Sequence, residues 1–222
     1  MNNVILTQQT KEVLNNYSTI NGSILIREGS ELKTINAGEN LISQYDCTEV
    51  FPQTFAIYDL NQFLAGLSLF QNPVLEFSNA EYLTIRGDGR SAKYYFSDPE
   101  ITLKTAPDRK VNFPGADIEF SINDNQLKAL RRAANVYSIP DLVFASSAGG
   151  TVTLSLCDKE NQTSNVYSQE ILGDNTGEYE LIMKMENVNL VPGDYTVKIS
   201  SKLITEWKHT SLPLVYYIAL EP

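Results

Sequence analysis

The order helix-then-strand occurs twice in this chain, and that repeat limits its fold more than any other feature of the sequence. TKEVLNNYSTINGSILI, residues 10–26, reads as an amphipathic helix running into a strand. QLKALRRAANVYSIPDLVF, residues 126–144, repeats the order about 116 to 119 residues further on. In each half a run of short strands and a second short helix follow. Between the halves, SDPEITLKTAPDRKVNFPGAD at 97–117 carries three prolines and mixed charge and reads as a connector. The expected organisation is two similar domains, 1–105 and 106–222, each long enough for its own core. The split is even in charge, since each half carries a net −5 of the chain's −10.

Helices are expected at 7–17, 59–70, 123–138 and 184–190. Thr10, Val13, Leu14 and Tyr17 share the buried face of the first; Leu60, Phe63, Leu64 and Leu67 share that of the second. In the third, Leu127, Leu130, Ala134 and Tyr137 fall on one face and Lys128, Arg131, Arg132 and Asn135 on the opposite one. Asn123 or Asp124 caps its start, and Pro140 stops it. The rest reads as strands, among them SILIREG, FAIY, YLTIRGDG, KYYFS, TVTLSLCD, GDYTVKISS and VYYIALE, with Gly87-Asp88-Gly89 and Gly149-Gly150 as hairpin turns.

Catalytic chemistry has little to work with. The one histidine, His209, has no matched nucleophile pattern, and Cys47 and Cys157 read as two reduced thiols in a cytosolic protein. GxSxG, HExxH and GxxxxGK[ST] are absent, and the carboxylates are scattered rather than clustered at a strand end. The expectation is a non-enzyme with no cofactor and no metal. No apolar run approaches the length of a membrane span. Net negative charge disfavours a DNA-coating protein but leaves room for one whose cations are gathered on a single surface. A β-rich adaptor or structural protein without DNA binding remains open at this point.

TFAIYDLNQFLAGLSLF at 54–70, with YSTINGSILI at 17–26, VPGDYTVKIS at 191–200 and YYIALE at 216–221, resembles the DNA polymerase sliding clamps, or processivity factors, of T-even-type bacteriophages. The matches are collinear and span nearly the whole chain, weakest in 30–50 and 155–180. The resemblance implies an α+β fold of two similar clamp domains, each with helices on one face of antiparallel sheets, and a homotrimeric ring. It implies a protein that encircles duplex DNA without reading sequence and tethers the replicative polymerase in the cytoplasm of an infected bacterial host. The partners it implies are DNA polymerase, a clamp loader complex and late-transcription factors, with no membrane.

Under that resemblance the pore-facing cations would be Lys11, Lys128, Arg131, Arg132 and Lys184. Asn15, Asn135 and Asn189 stand where relatives are expected to carry Lys or Arg, so the lining is thinner in charge. A partner-peptide pocket would be apolar and would draw on Val111, Phe113, Pro114, Tyr217, Ile218, Ala219 and Leu220.

Overall fold

The computed structural model describes residues 3–147, 150–161 and 163–222. They fall into two compact units, Met1–Asp108 and Arg109–Pro222. The first contains β1 (Asn3–Val4), α1 (Gln8–Ile20), β2 (Ile24–Ile26), β3 (Gly29–Ile35), β4 (Leu41–Phe51) and β5 (Phe55–Ile57). It continues through α2 (Leu60–Leu67), β6 (Val74–Glu76), β7 (Tyr82–Gly87), β8 (Arg90–Tyr95) and a one-turn α3 (Pro99–Thr102). The second contains β9 (Ile118–Ile122), α4 (Asp124–Tyr137), β10 (Asp141–Ser147), β11 (Thr151–Cys157), β12 (Tyr167–Asn175) and β13 (Tyr179–Lys184). A single 3-10 turn at Met185–Asn187 precedes β14 (Tyr195–Ser200), β15 (Ile204–His209) and β16 (Leu214–Ala219). Both units thus run strand, helix, four strands, helical element, three strands.

Pairing follows the same plan in each. In the first unit β1-β6-β7-β8 form an antiparallel sheet, β2 pairs with β5 and β3 with β4. In the second, eight strands pair antiparallel in the order β13-β10-β11-β12-β9-β14-β15-β16. Segment 104–108 is tied to the first unit: Lys104 O accepts from Asn21, Ala106 O and Asp108 O accept from Arg27 and Lys33, and Arg27 also ion-pairs with Asp108. These bonds carry the first unit a few residues past the expected 105/106 division.

The helices start where polar caps satisfy their unpaired first-turn N–H groups. Asp59 caps α2, and Asn123 forms a reciprocal capping box with Gln126 on α4. At α1 the cap is doubled. Thr7 accepts from Thr10 N–H, while the Glu49 carboxylate, buried on β4, accepts from Thr7 N–H at 2.6 Å and the Thr10 hydroxyl at 2.8 Å. Burial alone would push the Glu49 carboxyl up; the hydrogen bonds from Thr7 and Thr10 outweigh it and hold it below the ordinary range. A carboxyl depressed by folding adds stability above its unfolded pKa and loses it as pH falls through the folded one. Glu49→Gln is therefore expected to cost about 1–2 kcal/mol in urea unfolding at neutral pH. The gap to wild type should close as pH falls below about 4; a gap undiminished in acid would contradict the charged cap.

Strand alternation builds the cores. On β11, Val152, Leu154 and Leu156 point in; on β16, Leu214, Tyr216 and Ile218 do. Phe120, Phe144, Trp207, Tyr195 and Tyr216 form a ring-on-ring chain with centroids 6.3–6.4 Å apart. The β7–β8 hairpin turns through Asp88 and Gly89, both at positive φ, as an Asp-Gly turn requires. Gly149 of the other expected turn lies outside the described residues; Gly150 has φ 82°.

Three expectations change. The 184–190 helix is one 3-10 turn, Met185–Asn187, cut short by the irregular segment before Pro192. Tyr137 keeps the phase of the buried face of α4 but lies in its last residue, beyond the core, and is 48% exposed; Ala133 completes the stripe instead. Leu64 is only half-buried. Strand β4, the longest in its unit, was hidden in the sequence because its inward residues Ser43, Cys47 and Glu49 are not all apolar.

Two of the uncovered strand edges carry exposed charged and apolar side chains side by side, those of β8 and β12. β8 ends the sheet order of its unit, with Arg90, Lys93 and Tyr95 exposed. On β12, residues 167–172 pair with β11 on one side, and β9 takes only 173–175. Glu170, Leu172 and Asp174 are exposed there, Leu172 at 85%.

Candidate nucleic-acid interface

The cations expected to face a nucleic acid sit on or beside the helical elements of each unit, and they differ in how far their charge is available. Lys11 lies on α1, half-buried at the rim of a cavity of about 510 Å³ between α1 and α2. Four amide side chains share that lining, from Gln8, Asn15, Asn61 and Asn72, together with Leu64 and Ser68. Among the described residues no carboxylate lies within ion-pair distance of Lys11. That lining therefore sets one cation among neutral amides, with the Glu12 carboxylate beside them, accepting from Gln8 Nε2 at 3.2 Å. Sequence periodicity found Lys11 and Asn15 but gave no reason to join them to Asn72, which comes from the loop after α2.

On α4 the three cations separate. Lys128 is exposed but ion-paired with Asp124 one turn back, and Asp124 also accepts from Gly193 N–H at 3.1 Å. The hydrogen bond from Lys128 holds the Asp124 carboxyl below its usual range. Arg131 is half-buried and turned away from solvent: its Nε donates to Val188 O at 2.7 Å and its Nη2 to Leu190 O at 3.1 Å. Burial lowers its pKa, though a guanidinium stays charged. Arg132, the next residue, is exposed, and among the described residues no carboxylate lies within ion-pair distance of it.

Lys184 ends β13 and donates to Asp141 Oδ1 at 2.7 Å; the Asp141 side chain is only 1% exposed. The hydrogen bond to Asp141 raises the Lys184 pKa, so the pair acts as a neutral unit. Lys184, Asn135 and Glu186 line a cavity of about 580 Å³ at the C-terminal end of α4. Lys198 faces Glu119 at 3.9 Å.

Of the expected peptide-pocket residues, Ile218, turned inward by alternation along β16, and Leu220, just past the end of that strand, are buried, at 0% and 5% exposure. Tyr217 and Ala219 point to the other side; the Tyr217 phenol is pushed up to about 12 by burial and then by the Glu206 carboxylate opposite it. Val111 and Phe113 are half-buried and Pro114 exposed, in the irregular segment before β9.

His209 is structural: it is buried, accepts at Nδ1 from Ser211 and Leu212 N–H, and lies 3.2 Å from Pro192 O through Nε2. Both cysteines are free thiols. Among the described residues no group of three His, Cys, Asp or Glu could hold a metal ion, and no helix is long and apolar enough to cross a membrane.

Known proteins resemble the chain over its whole length. Residues 119–222 match the family described as gp45 sliding clamp, C terminal. The sliding clamp of Vibrio phage KVP40 is 31% identical over 221 residues, covering 97% of this chain and 98% of that protein. That of Enterobacteria phage T4 is 29% identical over 202 residues, covering 89% and 87%. Among solved structures, A. fulgidus PCNA bound to the C-terminal region of FEN-1 superposes with a TM-score of 0.74 at 13% identity, covering 100% of this chain and 99% of that one. PCNA from Thermococcus kodakaraensis gives 0.73 at 12%, covering 99% of each. At such identities the likeness is one of fold.

Proposed function

The chain belongs to the sliding-clamp family, and from that premise we propose that three copies close into a ring that encircles duplex DNA and tethers a DNA polymerase for processive synthesis. The full-length match to a phage clamp carries this reading. Enclosure rather than affinity keeps such a ring on its template, so the lining needs few cations and no base readout. Lys11 and Arg132 are the lining cations best placed to meet phosphates, Lys128 shares its charge with Asp124, and the amides of the first unit reach phosphates through water. The net charge of −10 per subunit repels DNA from the outer surface.

Ring closure uses two of the uncovered edges: β8 of one subunit against residues 167–172 of β12 in the next, covering Tyr95 and Leu172. The polymerase, the clamp loader and late-transcription factors dock through short peptides on an apolar surface that includes Val111, Phe113, Pro114, Tyr217 and Ala219. Loading draws on a separate ATP-driven loader, since the sequence has no phosphate-cradling loop. The protein performs no chemistry of its own and works in the cytoplasm of the infected host.

Light scattering is expected to give a mass three times 24.8 kDa at micromolar concentration. Ring loaded onto a nicked circle should stay bound until the circle is cut, then run off the ends. A monomer at that concentration, or equal retention on circle and linear DNA, would leave the adaptor reading in its place.

A further inference from the structure

In the first unit, helix α2 lies beside α1 and buries Leu60, Phe63 and Leu67. Among its described residues the second unit has no such helix. The matching stretch is a 3-10 turn followed by irregular chain to Pro192, and irregular chain against a helix leaves backbone groups that no ladder satisfies. Side chains satisfy them here. Arg131 donates to Val188 O and Leu190 O, Tyr195 donates its hydroxyl to Val191 O at 2.6 Å, and Tyr216 Oη accepts from Val191 N–H at 3.1 Å. Tyr195 and Tyr216 are both fully buried.

We infer that Arg131 is a positioning residue whose guanidinium holds segment 188–191 beside α4 in place of a second helix. The two carbonyls belong to residues two apart, and one planar fork reaches both. A lysine, with one compact ammonium on a flexible stem, has donors enough but no planar fork, so it cannot hold both carbonyls in the same fixed geometry. A phosphate-contacting cation behaves differently, because lysine replaces arginine there with little loss. That contrast makes the conservative substitution the informative one. The inference about the segment stands on the hydrogen bonds alone; the comparison with Arg132 rests on the clamp reading.

The test uses the full-length protein with Arg131→Lys, Arg131→Met, Arg132→Lys and Arg132→Ala. Amide exchange at Val191 and the affinity for a short linear duplex, which can thread and leave a ring by its ends, are followed together. Both Arg131 variants should exchange at Val191 at least about tenfold faster than wild type, with Lys giving no rescue, while both Arg132 variants keep wild-type protection. Arg132→Lys should keep duplex affinity and Arg132→Ala lose it. Wild-type protection in Arg131→Met, or restoration of protection by Arg131→Lys, would overturn the assignment. Faster exchange in the Arg131 variants with duplex affinity unmoved by Arg132→Ala would uphold Arg131 as a positioning residue and count against the clamp reading instead.

Discussion

Arg132→Ala should flatten the salt dependence of duplex binding more than neutralising any other of the expected lining cations of the second unit. Each phosphate contact contributes about 0.9 to the slope of log affinity against log salt, and a three-subunit ring loses three at once, so the slope should fall by up to about 3. Arg132 is singled out because its neighbours are engaged elsewhere: Arg131 with two carbonyls, Lys184 with Asp141, Lys128 with Asp124. The last pair supplies a test of opposite sign. Asp124→Asn keeps an oxygen for Gly193 N–H but releases Lys128, so it should steepen the slope by a similar amount and tighten binding. Titrations of a short duplex over a range of salt check both. An unchanged slope in Arg132→Ala, with the protein still trimeric, would mean that the exposed face of α4 does not meet DNA.

Gly193→Ala should be the most damaging single methyl. A Cβ at Gly193 would stand 2.2 Å from His209 Nε2 and 2.7 Å from its Cε1, and the backbone there has φ +148°, which side-chain-bearing residues rarely adopt. His209 cannot step aside, because its other nitrogen is fixed by two backbone N–H groups and its ring packs edge-on against Tyr195 at 5.0 Å. Overpacking and backbone strain each cost about 1–3 kcal/mol, so a loss of at least about 2 kcal/mol in urea unfolding is expected. His209→Ala in the same chain should recover part of it by opening space for the new methyl. A Gly193→Ala protein within about 0.5 kcal/mol of wild type, the scatter of ordinary surface changes, would refute the crowding.

Much of the architecture was legible because its signals are local. Asp59 and Asn123 stand before apolar residues at helical spacing, and α2 and α4 begin where those caps place them. The connector was legible from its prolines, but the tie of 104–108 to Arg27 and Lys33 depends on contacts far apart in sequence. The site was legible in outline only. Helical spacing put Lys128, Arg131 and Arg132 on one side of α4, yet Arg131 and Arg132 differ by about 100° around the axis. That turn carries one guanidinium to Val188 and leaves the other in solvent. The Asp124–Lys128 pair was readable, since the two are four apart, whereas the Lys184–Asp141 pair joins neighbouring strands. Ile218 is buried for a simpler reason: in a strand, every second residue of an apolar run belongs to the interior.

The two edges differ in more than position. The β8 edge exposes Arg90 and Lys93 beside Tyr95; the 167–172 edge is flanked by Glu170 and Asp174 around Leu172. Two β8 edges brought together would set cations against their own copies, and two β12 edges would do the same with carboxylates. Only unlike edges attract. In the ring proposed above, this complementarity would favour pairing of unlike edges over pairing of like ones.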